Sequence, residues 1–211
     1  MKYEWRKKDK AIYLPKKVPE KFVVPTMQYL TVHGEGNPNG DVFAQCVEAL
    51  YAMSYGIKMY PKGGGVIEGY YDYTVFPLEA KWSLTEAGIE RYKTGADIVD
   101  LKDYFSFKVM IRQPDFVQGN LVEEVRVKTM TKKSNNMIKA VTFETIDEGL
   151  SVQMMHIGSY DDEPASFDTM EAYAKSQGLS RIGKVHKEIY LSDPRRVAVD
   201  KLKTTLRFWV E

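Results

Sequence analysis

Val185-His186-Lys187-Glu188-Ile189-Tyr190-Leu191-Ser192 is the stretch whose reading decides the fold. β-Branched and aromatic residues dominate it, and Ser192-Asp193-Pro194 closes it with turn chemistry, so it predicts a β-strand. Period-two alternation sets His186, Glu188 and Tyr190 on one face and Val185, Ile189 and Leu191 on the other. The second set is ordinary core. The first places a carboxylate between an imidazole and a phenol, which turn inward together only where something polar or cationic meets them. A solvated face is the plain alternative, and the rest of the chain decides between the two.

Composition narrows the field. With 211 residues the chain can bury a substantial core. Thirty basic and 29 acidic residues leave a formal charge of +1, which argues against a dedicated nucleic-acid binder. One cysteine, Cys46, rules out an intrachain disulfide and suggests a reducing, cytoplasmic setting. The three histidines, His33, His156 and His186, are far apart and show no zinc-ligand spacing, so no metal is expected. No apolar run reaches membrane-spanning length, and no signal-peptide core opens the chain. Tyrosine is in surplus, with 14 copies beside 9 Phe and 3 Trp, a set that suits a ligand pocket as well as a core.

Residues 1–25 read as a basic arm held to the body by Tyr3, Trp5, Tyr13 and Leu14. A strand follows at Met27–His33, then a loop whose G-x-G lacks the rest of a phosphate-binding fingerprint. A helix is predicted over Asp41–Tyr60, with Phe43, Cys46, Val47, Leu50 and Ile57 as its buried stripe; Cys46 then reads as a structural thiol. Tyr70–Phe76 and Leu78–Trp82 read as strands, and Ser83 with Glu86 resembles a capping box for a short helix ended by Gly95. Tyr104–Ile111 is another strand, and a helix opens at Pro114. From Leu150 the order recurs: a strand to Gly158, a polar loop to Pro164, an amphipathic helix through Phe167, Met170, Tyr173 and Ala174, the strand from Val185, and a last strand over Thr204–Val210.

The two halves therefore share the order strand–helix–strand–strand. Val32-His33-Gly34 matches His156-Ile157-Gly158, Leu78–Ser83 matches His186–Leu191, and Met110-Ile111-Arg112 matches Thr205-Leu206-Arg207. The expected fold is α+β: duplicated units forming a pseudo-twofold antiparallel sheet, with helices on one face and a central ligand trough on the other. The expected layout is an arm (1–25), repeat one (about 26–113), a connecting helix (about 115–135) and repeat two (about 140–211).

That repeat, with D-Y-T-V-F-P-L-E-A-K-W-S (Asp72–Ser83) and G-K-V-H-K-E-I-Y-L-S-D-P-R-R-V-A-V-D-K-L-K-T (Gly183–Thr204), resembles the GyrI-like small-molecule-binding family. The likeness covers roughly residues 25–211. It implies a ligand in the trough and puts the family's ligand-binding glutamate at Glu188. The family includes gyrase inhibitors and the effector-binding domains of multidrug-sensing activators. Its stand-alone members, which this chain looks most like, are reported to hydrolyse cyclopropane-bearing DNA alkylators inside an aromatic cage. The first 25 residues are too few for a helix-turn-helix, so the regulator role is not expected.

In the repeat alignment Ala80 takes the place of Glu188 and Trp82 that of Tyr190, leaving one acid among aromatic walls. Tyr71, Trp82, Tyr190 and Trp209 are the wall candidates, with Met110 as adaptable filler, while Tyr73 and Phe107 read as core. Such a site suits small aromatic or lipophilic xenobiotics, with cation–π contacts worth about 0.5–2 kcal/mol per ring. For hydrolysis, Glu188 would handle the water and a phenol, Tyr190 or Tyr71, would meet the developing oxyanion; His186 is an alternative base or a simple partner of Glu188. No cofactor, nucleic acid or membrane is implied, and no protein partner is specified. The alternatives are a non-catalytic binder or sensor that sequesters aromatic or cationic drugs, and a gyrase-inhibitor type of protein partner.

Overall fold

The computed structural model describes residues 2–211, Val99 by its backbone alone. The chain is α+β, and every strand pairing given below is antiparallel. Its elements are α1 (Trp5–Lys8), α2 (Lys10–Tyr13), β1 (Glu20–Val24), β2 (Met27–Glu35), α3 (Asp41–Met59), β3 (Leu78–Leu84), α4 (Glu86–Lys93), β4 (Phe105–Arg112), α5 (Gly119–Met130), β5 (Thr142–Ile146), β6 (Gly149–Ile157), α6 (Glu163–Ser176), β7 (His186–Tyr190) and β8 (Lys203–Trp209). The strand–helix–strand–strand order is present twice, as β2-α3-β3-β4 and β6-α6-β7-β8. No helix among the described residues is long and apolar enough to cross a membrane.

Contacts divide the chain into two units. The first comprises the chain up to Trp5, residues 27–76 and residues 84–146. In it β2 pairs on one side with β4 and on the other with β5. The stripe Cys46, Ala49, Leu50, Met53 and Ile57 is fully buried, as three- and four-residue spacing on α3 requires. Cys46 is a buried free thiol, and burial raises its pKa. Tyr73 and Phe107 are buried core residues.

Three local expectations change. Tyr70–Phe76 forms no strand: only Tyr73 bridges, to Tyr3, while its neighbours pack as irregular chain around Phe116. The cap of α4 is Thr85 rather than Ser83, because Thr85 has extended backbone and its Oγ1 accepts from the Gly88 amide at 3.2 Å. β5, which the polar run Thr142-Phe143-Glu144-Thr145 hides, pairs along the whole first half of β2.

The second unit comprises residues 6–26, 77–83 and 147–211. Its strands lie in the order β1-β6-β8-β7-β3. Register fixes the two faces. Glu188 lies opposite Ala80 on one side and Leu206 on the other, so the even-numbered residues of β3, β7 and β8 share a face. On that face Val152, Met154, Leu206 and Phe208 pack against Met170 and Ala174 of α6, flanked by Phe167 and Tyr173. The other face carries a row across all five strands: Lys81, Lys187, Arg207, Gln153 and Glu20. The N-terminal segment covers this row with its carbonyls. Arg207 Nη2 donates to Ile12 O at 2.6 Å, Gln153 Nε2 to Ala11 O at 2.8 Å, and Thr205 Oγ1 to Tyr13 O at 2.8 Å.

Candidate functional site

Alternation along β7 and helical period along α6 meet at one place in the second unit. β7 presents His186, Glu188 and Tyr190 upward, and α6 begins there with Glu163, followed one turn on by Phe167. Pro164 at the start of α6 suits the first helical turn, where its missing N–H costs nothing. The spacing Glu163, Phe167, Met170, Ala174 then places Glu163 at the head of the apolar stripe of the helix.

Glu188 accepts at both oxygens. Tyr190 Oη donates to Oε2 at 2.8 Å, and His186 Nε2 lies 3.0 Å from Oε1. Trp82 Nε1 donates in turn to Tyr190 Oη at 2.9 Å, which completes a chain from indole to phenol to carboxylate. Burial, with Glu188 close by, holds the Tyr190 phenol well above its usual pKa. The side chains of Glu188 and His186 keep 11% and 22% exposure, so the acid reaches solvent on one side.

Glu163 is the second acid. It is 5% exposed, and its Oε1 is buried with no hydrogen-bond partner. Burial raises its pKa well above the ordinary carboxylate range, and the charge of Glu188, a hydrogen bond to Glu188 and the charge of Asp161 raise it further. The upward shift favours the neutral form of Glu163 beside its hydrogen-bonded neighbour. Rings surround the pair. Phe167 meets His186 edge-on at 4.6 Å, and Tyr160 meets Tyr190 edge-on at 5.9 Å. Burial and the nearby carboxylates push the Tyr160 phenol up to about 12.

One ligand atom from each of Glu163, His186 and Glu188 lies within 4.8 Å of the others, the spacing a metal site would use. Both oxygens of Glu188 are already engaged by Tyr190 and His186.

The structure brings together Glu188, Tyr190, His186 and Trp82 of the sequence-predicted set. Glu188 sits under α6 in the second unit; the opposite face of its sheet is taken by the charged row and the N-terminal segment. Trp209 does not join the site. As an odd-numbered residue of β8, opposite Ser151, it turns to the other face, where Lys81 Nζ stands 4.6 Å over its ring. Met110 is fully buried core in the first unit. Tyr71 also belongs to the first unit and packs edge-on against Phe116 at 5.1 Å.

Glu163, Tyr160 and Phe167 are absent from the sequence prediction. A glutamate beside proline at a helix start reads as a dipole-compensating surface acid. The signal that could have found it is its four-residue spacing from Phe167 on the buried stripe. A cleft of ≈ 610 Å³ lies further along α6, lined by Glu171, Lys175, Arg181 and Lys184 among others, but its one acid is bound to Arg181 at 2.6 Å and it has none of the pair chemistry.

The model of the GyrI-like small molecule binding domain matches residues 19–210. The chain belongs to this family. Its GyrI-like fold is shared with three proteins of Listeria innocua, each aligned over 100% of both chains. Two are described as hydrolases, at 33% identity with a TM-score of 0.88 and at 34% with 0.90. The third is described as an uncharacterized conserved protein, at 35% with 0.90. No curated protein sequence matches significantly.

Proposed function

We propose that this GyrI-like protein is a small-molecule hydrolase that adds water to strained, electrophilic rings, such as the cyclopropanes of DNA-alkylating compounds, and so protects the cell. One observation carries the reading: a buried carboxyl pair, Glu163 raised by burial and Glu188 engaged by Tyr190 and His186, set among aromatic rings. Pairs whose environments push two carboxyl groups apart supply one acid and one base at neutral pH. Likeness to the two Listeria proteins described as hydrolases supports the reaction class.

Glu188 takes a proton from water as the water oxygen bonds to the ring carbon. The ring C–C bond breaks, its electron pair moves through the conjugated system to the carbonyl oxygen, and Glu163 gives that oxygen its proton. The net change is addition of one water, after which the proton on Glu188 passes back to Glu163. Tyr190 acts on Glu188 rather than on substrate, and Trp82 holds Tyr190: the two donated hydrogen bonds, in series, fix the orientation of the carboxyl group. The earlier expectation of a free phenol donor is thereby replaced by Glu163.

Incubation with a panel of cyclopropane alkylators and product analysis tests the reading. A ring-opened hydrate is expected, with Glu188→Gln lowering turnover about 10²–10⁴-fold while the melting temperature holds. Binding of the compounds without any hydrate would leave a sequestering protein in place of an enzyme.

A further inference from the structure

The cleft further along α6 lies between the second half of that helix and the segment from Leu179 to Lys184. The segment is fixed to the end of β8: Arg181 bridges Val210, and the Ile182 N–H donates to Trp209 O at 2.8 Å. Gly183, with φ of +66°, then turns the chain through the left-handed region that favours glycine. The turn brings the Lys184 carbonyl back to accept from Arg181 Nη2 at 3.0 Å. The Arg181 guanidinium is held on every side. Its Nη1 bonds Glu171 at 2.6 Å, and its carbon stands 4.6 Å over the Phe208 ring and 5.4 Å from that of Phe167. The charge of Glu171 is thereby engaged. Lys175 and Lys184, both exposed, have no carboxylate partner among the described residues. The lining therefore carries three cations against one acid, a net +2, beside apolar Ala172 and Leu179. We infer that this cleft binds phosphate monoesters of small apolar molecules, the phosphate held by Lys175 and Lys184 next to Arg181 and the apolar body resting against Ala172 and Leu179.

Charge selects the class of ligand. A phosphate monoester carries about −1.5 to −2 at pH 7 and matches the lining, whereas a monocarboxylate leaves part of the positive charge uncompensated. Its three acceptor oxygens also suit lysine. Each ammonium is a compact charge with three donors on a flexible stem, so two of them can close on one phosphate. Arg181, already bonded to Glu171 and to the Lys184 carbonyl, supplies fixed charge rather than a bidentate grip. The volume of ≈ 610 Å³ leaves room for a small organic body beside the phosphate. The cleft is separate from the acid pair, because Glu171 lies about 12 Å further along α6 than Glu163. No step of the proposed hydrolysis uses it, so the two readings stand or fall independently.

Amide NMR of the 15N-labelled whole protein during titration with phenyl phosphate tests this. Expected are saturable shifts at the amides of Leu179, Gly183 and Lys184. The double variant Lys175→Gln/Lys184→Gln should bind roughly tenfold more weakly, through loss of charge-assisted hydrogen bonds. Both lysines are exposed, so its melting temperature should match that of the wild type. On the wild type, inorganic phosphate leaves the apolar contacts unmade and benzoate leaves charge unmet, so each should bind more weakly than phenyl phosphate. Glu163→Gln should bind phenyl phosphate as the wild type does. The proposal is overturned by absence of saturable shifts, or by shifts centred on Tyr160 and Glu163 instead of the cleft. Wild-type affinity in the double variant, or benzoate or inorganic phosphate binding as tightly as phenyl phosphate, would overturn it too. Absence of turnover on cyclopropanes would overturn the hydrolase reading alone.

Discussion

The two faces of β7 solve the same problem in opposite ways. Both bury two carboxyl groups. On the reverse face, Glu79 and Glu148 are met by fixed cations: Lys187 Nζ lies 2.6 Å from Glu79 and 2.8 Å from Glu148, Arg207 Nη1 lies 3.4 Å from Glu148, and Lys81 Nζ lies 3.1 Å from it. Burial alone would raise Glu148, but Lys187, Lys81 and Arg207 draw it down to about 2. Lys187 has no exposed surface, yet Glu148 and Glu79 outweigh its desolvation and raise its pKa. On the front face, no lysine or arginine is paired with Glu163 or Glu188 among the described residues, and burial raises the Glu163 carboxyl toward its neutral form. A face neutralised by fixed charge is inert scaffold. A face neutralised by a removable proton can exchange it, and only that face can do acid–base chemistry.

The largest effect should come from breaking the scaffold. Lys187→Met leaves Glu79 and Glu148 buried against fewer cations, and loss of one member of a buried pair costs about 3–5 kcal/mol. Thermal unfolding should show a fall in Tm on the order of 10 °C. An unchanged Tm would mean that the network carries no structural burden, and the contrast between the faces would fail.

Next come opposite pH dependences. Glu148 is depressed in the fold, so its contribution is complete above its ordinary value near 4.5 and is lost as pH falls from there through about 2. Glu163 is raised, so its contribution is complete below 4.5 and is lost as pH climbs through its higher folded value. Stability of Glu163→Gln relative to wild type should therefore rise as pH climbs above the ordinary carboxylate range, whereas that of Glu148→Gln should not. Parallel curves for the two variants would contradict the opposite shifts of the two acids.

The smallest effect is expected at the edge of the front face. Trp82→Phe removes the N–H that serves Tyr190 but leaves Tyr190 bonded to Glu188, so stability should change by only about 1 kcal/mol. Turnover should fall a few-fold, through a shift in the pH–rate profile and not through KM. A change confined to KM would place Trp82 against substrate instead of behind Glu188.

The sequence reading reached the front face through β7 and stopped there. His186, Glu188 and Tyr190 are legible because a strand alternates, and Trp82 because register on β3 follows the same rule. The α+β order of elements was legible for a like reason, since helices and strands write their periods into the chain. Glu163 escaped because its neighbours Asp161, Asp162 and Pro164 look like a solvated helix start, and only its spacing from Phe167 and Met170 marks it as buried. Trp209 was misplaced because an aromatic residue near the chain end shows its face only once the register of β8 against β6 is known. The cations of the reverse face read singly as surface charge; their burial depends on cross-strand pairing and on the N-terminal carbonyls that cap Arg207.

The central claim is that burial and the neighbouring Glu188 raise the Glu163 carboxyl well above its ordinary range. Infrared difference spectroscopy of wild type against Glu163→Gln reads this directly from the carbonyl stretch of a protonated carboxylic acid. The account predicts that the wild type shows this band at pH 7 and that Glu163→Gln lacks it. Two ionised carboxylates at pH 7, with no acid band in the wild type, would contradict it.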